Sequence, residues 1–350
     1  MSFARLIIVS VATLLCVALV QSQEQSFGKV HGYVFGDYFY MVGADTAAIR
    51  GAGQYSAAPK DFQAFQFRRL YLYYDHTFSE KFFAQFLLEG NDKTFEPGGK
   101  YGMFVKSAYL EWKGAVPLGS IAIGLVPTPT WSLLSEKVWN YRSIEKTIID
   151  FRGFGSASDI GLQLRGKFDR DGTFSYVAMI GNGTGQKPEN NKYKKYYGSL
   201  SIKPKKELVL EGYIDYEPAA LEKNKTTLKG FAGYQTESFT FGVEAFQQTQ
   251  AKAGAAAADA TPFGISFFAW ARVLGVDALN AFVRFDMFDP NTKVRNAGYK
   301  ENFIVAGFDY MPIPNVHLMP NIWINSYSAK GGGSRDSDVA ARITLFYVYK

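Results

Sequence analysis

The chain has 350 residues, of which 47% are hydrophobic, 16% aromatic and 20% charged, and its formal net charge is +6. Past the N-terminal segment no stretch approaches the roughly 18 consecutive apolar residues of a membrane-spanning helix, which excludes a bundle of transmembrane helices. Lysines and arginines are spread among acidic residues rather than concentrated in one segment, which argues against a nucleic-acid partner.

The first 22 residues are typical of an export signal. Arg5 supplies the positive charge, residues 6–20 form an apolar stretch too short to span a membrane, and Ser22 ends a small-residue cleavage site. We therefore predict a signal peptide over residues 1–22 and a mature chain over residues 23–350. The single cysteine, Cys16, lies in the signal, so the mature chain has no thiol for disulfides or metal binding.

The rest of the chain alternates apolar and polar side chains in segments of about ten residues, which is the period-two pattern of β-strands. In residues 159–167, one face carries Ile160, Leu162 and Leu164, and the opposite face carries Arg165. A soluble sandwich with a wet outer face and a membrane barrel with a wet lumen both produce this pattern. The environment of each face therefore decides the class of protein.

The segments predict about sixteen strands. They cover residues 30–42, 62–78, 81–89, 105–113, 120–126, 159–168, 173–181, 197–203, 207–216, 227–235, 239–247, 263–273, 278–288, 303–310, 316–327 and 339–349. Short turns alternate with longer polar connections, an order typical of bacterial membrane barrels. A barrel of about sixteen strands is wide enough to hold an aqueous channel.

The longest connection, residues 127–158, has a pattern of its own. Residues recur there at spacings of three and four, at Leu134, Val138, Tyr141, Ile144 or Glu145, and Ile148. This predicts an amphipathic helix of about four turns, with Ser132 as N-cap and an end near Gly153. Long structured loops are usually functional, and inside a barrel this one would narrow the pore. An exposed flap or a partner-binding helix is the alternative.

Charged residues of this insert would set a transverse field at the constriction. The candidate bases are Arg142, Lys146 and Arg152, offset by the candidate acids Glu136, Glu145 and Asp150. Inward-facing strand positions add Arg165, Arg284 and Arg342. We expect these nine residues to line the pore and the bases to favour anions.

Several segments resemble the phosphate-selective porin O and P family. Residues 105–112 (VKSAYLEW) and 123–129 (IGLVPTP) are similar to its KxAYLEY … GQFKTPF region, and residues 159–164 (DIGLQL) are similar to its RDIGVQL strand. The resemblance covers most of the mature chain and implies a trimeric, sixteen-stranded outer-membrane porin. The Gln-Phe-Lys of the family is Leu125-Val126-Pro127 here, so small polar solutes are the expected cargo, with anions such as phosphate among them.

An enzyme is one alternative class. No Gly-x-Ser-x-Gly, His-Glu-x-x-His or paired Cys/His spacing accompanies the three histidines, so we predict no enzyme activity, cofactor or metal. A secreted or outer-membrane barrel enzyme and a soluble glycan-binding sandwich stay open. In the latter, five tryptophans would act as stacking platforms: Trp112, Trp131, Trp139, Trp270 and Trp323.

The sequence thus predicts an all-β protein, a transmembrane antiparallel β-barrel of about sixteen strands with a helix-containing constriction loop. Its expected place is the bacterial outer membrane, in contact with the lipid bilayer and lipopolysaccharide, as a homotrimer. Its expected function is the passive diffusion of small polar solutes.

Overall fold

The computed structural model describes residues 26–45, 58–253 and 258–350, so the predicted signal peptide lies outside the described residues. The strands are β1 (Phe27–Gly43), β2 (Gln63–Thr77), β3 (Phe82–Phe95), β4 (Tyr101–Val116), β5 (Gly119–Pro127), β6 (Ser158–Lys167), β7 (Phe174–Gly181), β8 (Lys195–Lys205), β9 (Leu208–Glu217), β10 (Lys225–Gln235), β11 (Phe239–Gln250), β12 (Phe263–Arg272), β13 (Leu279–Asp289), β14 (Tyr299–Ile313), β15 (Val316–Ala329) and β16 (Asp338–Tyr349). One 3-10 turn, Ala220–Glu222, lies between β9 and β10.

These strands form one closed antiparallel barrel in which each pairs with its neighbours in sequence. The barrel closes where β1 pairs with β16, from Gly32 opposite Tyr349 to Gly43 opposite Val339. The predicted sixteen-stranded barrel is therefore confirmed. The two-sheet sandwich considered as an alternative is wrong.

Connection lengths alternate, so the short turns lie at one end of the barrel and the longer loops at the other. The Asp-Gly turn between β6 and β7 shows how sequence sets a short turn. Gly172 has a φ of +71°, which favours glycine. The Asp169 carboxylate accepts 2.9 Å hydrogen bonds from the N–H groups of Thr173 and Phe174. One connection is shorter than expected, because β3 and β4 extend into the predicted loop 90–103.

The two faces of the barrel have opposite character, as β13 shows. The outward side chains of Val283 and Met287 are 47% and 42% exposed, whereas Arg284 and Asp286 point inward and are 1% and 0% exposed. A water-soluble protein buries its apolar face and exposes its charges. This barrel does the reverse, so its outer surface is suited to lipid.

The connection from β5 to β6 contains two short helices, α1 (Ser135–Trp139) and α2 (Ile148–Phe151), and the predicted single helix of about four turns is wrong. The chain leaves α1 at Asn140, whose left-handed φ of 58° ends the helix. Ser132 is not the N-cap, since its hydroxyl instead donates to the Thr128 and Ala157 carbonyls and ties the loop ends together. Among the described residues, no helix is long and apolar enough to cross a bilayer.

Candidate pore constriction

Residues 128–157, called here the constriction loop, fold into the barrel and pack against one side of its wall. Trp139 packs on Phe268 of β12, with ring centroids 5.1 Å apart. Tyr141 packs on Phe282 of β13 at 4.7 Å. These residues belong to a buried apolar cluster that extends across the wall strands to Trp323 of β15. The loop is therefore held by a hydrophobic core inside the barrel.

Three arginines of the wall bind the carbonyls between the two helices. Arg68 donates to the Ser143 carbonyl at 2.6 Å, Arg342 donates to the Ile144 carbonyl at 2.9 Å, and Arg284 donates to the Lys146 carbonyl. A chain segment outside regular structure has carbonyls that need partners when buried. The guanidinium groups supply those partners and hold the non-helical part of the loop in place.

Glu145 is the charged centre of this attachment. Its Oε2 accepts a 3.1 Å hydrogen bond from the Trp323 indole. Burial opposes its ionisation, but the nearby Arg68 and Arg342 outweigh burial and lower the pKa of Glu145 below its ordinary value. The carboxylate is therefore negative at neutral pH and balances arginines that are themselves buried.

Arg152 attaches the end of α2 in the same way. Its guanidinium lies 2.5 Å from the Glu301 carboxylate of β14 and 3.3 Å from the Asn325 side-chain oxygen of β15. It also stacks on the ring of Phe288, 5.0 Å from the centroid. Because both the charge and the plane of the guanidinium have partners, Arg152 fixes the loop to the wall.

The nine predicted pore residues thus divide into separate groups. Glu136, Arg142 and Arg165 line an open cavity beside the loop. Lys146 and Asp150 pair on the loop itself at 3.6 Å, and Asp150 also lies 3.5 Å from Arg142. The remaining four lie buried between loop and wall: Glu145, Arg152, Arg284 and Arg342.

The open cavity has a volume of about 490 Å³ and lies between the constriction loop and strands β1–β6. Its wall carries two cross-strand aromatic pairs. Tyr33 of β1 lies opposite Tyr71 of β2, with ring centroids 4.6 Å apart, and His31 stacks on Tyr73 at 4.7 Å with planes 7° apart. Tyr109 of β4 also lines the space. We call this space the aromatic cavity.

Among the described residues that line the aromatic cavity, Lys106, Lys137, Arg142 and Arg165 are cations, and Glu136 is the carboxylate. Three of the cations are paired. The Lys106 ammonium lies 2.7 Å from the Glu89 carboxylate. The Arg142 guanidinium lies 3.0 Å from the Glu136 carboxylate, and the Arg165 guanidinium forms an ion pair with Glu111.

Lys137 differs from the other three cations. Over residues 26–45, 58–253 and 258–350 no carboxylate lies within ion-pair distance of its ammonium. Burial and the neighbouring Arg165 lower the pKa of Lys137 below its ordinary value. In the sequence Lys137 follows Glu136, a predicted pore residue. The spacing of apolar residues does not reveal which side of the loop faces open space. Within the described part of the chain, no group of His, Cys, Asp or Glu side chains is arranged to hold a metal ion.

The fold of this chain is similar to the folds of several solved bacterial outer-membrane channels. The anion-selective porin from Comamonas acidovorans superposes with a TM-score of 0.65 at 14% identity, covering 93% of this chain and 100% of the porin. The outer membrane channel DcaP of Acinetobacter baumannii gives 0.67 at 11% identity, over 92% and 97%. OmpF of Salmonella typhi, in a complex with daunomycin, gives 0.61 at 12% identity, over 91% and 97%.

The chain has the fold of the bacterial outer-membrane porins. No protein-family model matches the sequence, and a search of curated proteins finds no match. Within this porin fold, the constriction loop occupies one side of the lumen and leaves the aromatic cavity on the other. The open space beside the loop is therefore bounded by the residues that face this cavity.

Proposed function

We propose that the protein is an outer-membrane channel through which small polar solutes diffuse down their gradients, with no covalent bond made or broken. The observation that carries this proposal is the inverted barrel, with apolar side chains outside and buried charges inside. An open cavity beside an anchored loop supports it, since a loop folded into the lumen is a means of setting pore size. We also propose that the protein assembles as a homotrimer in contact with lipid and lipopolysaccharide.

We further propose that the channel prefers anions, phosphate included. Four cations and one carboxylate line the aromatic cavity, and Lys137 forms no ion pair with an acid within the described residues. In a narrow passage such a charge raises the local concentration of anions and repels cations. The proposed selectivity residues are Lys137, Arg142 and Arg165, together with the predicted Lys146.

Planar-bilayer recording tests the channel function. Purified protein whose migration on gels is heat-modifiable, and which is therefore folded, should produce stable conductance steps in KCl. With KCl at different concentrations on the two sides, the reversal potential should show chloride crossing more readily than potassium. Folded protein that never conducts would contradict the proposal.

Reversing the charge of Lys137 should reduce the anion preference. The change Lys137→Glu should lower the chloride-to-potassium permeability ratio by at least about 5-fold, because losing a unit positive charge about 4 Å from a passing chloride already costs about 1 kcal/mol in water, and the new negative charge adds to the effect. Reversal potentials in asymmetric KCl measure the ratio. The control is Lys206→Glu in the turn between β8 and β9, away from the cavity. Equal shifts in both variants would remove Lys137 from the passage.

A further inference from the structure

We propose that the aromatic cavity is a binding site for small aromatic carboxylates, a proposal that rests on the channel function above and names its preferred solute class. The site combines a wall of stacked rings with one unbalanced cation on the facing loop. Its volume of about 490 Å³ is in the range of small-molecule pockets, about 300–1,000 Å³.

The aromatic wall is a feature that a general diffusion pore does not need. Tyr33 and His31 are successive inward positions on β1, and their partners Tyr71 and Tyr73 are successive inward positions on β2. Rings two residues apart on a strand are separated by about 6.6 Å along it, so the pairs form an aromatic surface that follows the strands. Such a surface gives a planar ring stacking or edge contacts at more than one depth.

The cations complete the site. The Lys106 ammonium lies 5.9 Å from the centre of the Tyr71 ring, and Lys137 and Arg165 line the same space. A solute that carries a carboxylate on an aromatic ring can therefore place its ring on the wall while its charge meets an ammonium or guanidinium group.

The charge count favours a monoanion over phosphate. Lys106, Arg142 and Arg165 each already face a carboxylate. Lys137 alone among the cavity cations lacks such a partner within the described residues. Lys106 shares Glu89 with Arg69, but both cations still face that carboxylate. Lys137 is therefore the donor without an acidic partner and matches one carboxylate, whereas a phosphate dianion would need several such donors.

Competition with the KCl current tests the site in the full-length protein reconstituted in planar bilayers. Benzoate should reduce the conductance at concentrations about 2- to 10-fold lower than cyclohexanecarboxylate, which has the same charge without the aromatic ring. Benzyl alcohol, which has the ring without the charge, and inorganic phosphate should both block less well than benzoate.

Variants separate the two halves of the site. Tyr73→Leu and Tyr33→Leu should remove the advantage of benzoate over cyclohexanecarboxylate. The matched control, Tyr74→Leu, removes the neighbouring tyrosine that faces outward on the same strand and should leave the advantage unchanged. Lys137→Gln should weaken the block by both carboxylates to the same extent.

Equal block by benzoate and cyclohexanecarboxylate, or stronger block by phosphate, would overturn the proposal. Protein that conducts no KCl would contradict the channel function instead. The site is then decided by binding to the folded, detergent-solubilised protein, through quenching of tryptophan fluorescence by benzoate, since Trp131 lines the cavity. Saturable quenching that Tyr73→Leu abolishes supports the site, and its absence in the unsubstituted protein overturns it.

Discussion

Replacing Glu145 by glutamine should free the constriction loop from the wall and enlarge the channel. The carboxylate is buried and attracts Arg68, Arg284 and Arg342, so its loss weakens the balance of buried charge, although Arg68 and Arg284 keep Asp37 and Asp286 as partners. Removing one partner of a direct buried ion pair costs about 3–5 kcal/mol, and we expect about 3 kcal/mol here because two of the arginines keep their own carboxylates. Urea-induced unfolding of the reconstituted protein, followed by tryptophan fluorescence, should show a loss of that size.

The same variant should conduct differently. A loop that leaves its seat opens the lumen, so single-channel steps of Glu145→Gln should be larger and noisier than those of the unsubstituted protein. The control Glu237→Gln changes an exposed carboxylate in the turn between β10 and β11 and should alter neither property. Unchanged stability and unchanged step size would mean that the apolar contacts alone hold the loop.

Replacing Trp139 by alanine should have an effect of similar size through packing rather than charge. The indole is fully buried against Phe268, and its N–H donates to the Glu145 carbonyl at 2.8 Å. Removing a buried tryptophan side chain costs about 3–5 kcal/mol, because the transfer free energy is lost and a cavity stays behind. The urea midpoint should fall and open-channel noise should rise.

A conservative variant tells packing apart from hydrogen bonding. Trp139→Phe keeps most of the ring volume and removes the N–H donor, so it should lose less stability than Trp139→Ala. If the two variants lose the same amount, the hydrogen bond to the Glu145 carbonyl is the main contribution and the packing argument is wrong.

The barrel was predictable from the sequence because its cause is local. Strand period and turn chemistry act over a few residues, and residues 159–167 and the turn at Gly172 lie where these signals placed them. The strand ends were less predictable. Residues 91–94 of β3 are polar, which is typical of a loop, yet the structure extends the strand through them to Phe95.

The constriction loop was less predictable, because its shape depends on contacts distant in sequence. The apolar spacing of Val138, Tyr141 and Ile148 fits a single helix, and the same residues are buried although Tyr141 lies between the two short helices. The first helix ends at Asn140, and arginines of the barrel wall donate hydrogen bonds to the carbonyls of the non-helical residues that follow. No local signal reports that such partners exist.

The alternation of apolar and polar residues along a strand also shows that a charged side chain points inward, but it does not show which groups that side chain contacts. Arg165 faces the aromatic cavity, whereas Arg284 and Arg342 are covered by the loop. The aromatic pairs depend on strand register, which is shifted by an irregularity between Phe35 and Gly36. Whether Lys137 faces the cavity likewise depends on the position of the loop, which residue spacing does not reveal.

The loop lies to one side of the lumen, so the residues that line the passage and the residues that support the loop fall mainly in different parts of the chain. The aromatic cavity is walled mainly by β1–β6, whereas the loop is seated mainly on strands β9–β16, through side chains such as Phe268, Phe282 and Glu301. Apart from Arg68, which holds the loop, substitutions at the cavity-facing positions of β1–β6 can therefore alter what the passage admits while its support stays intact. A lineage could acquire a new solute preference without first having to rebuild a stable barrel.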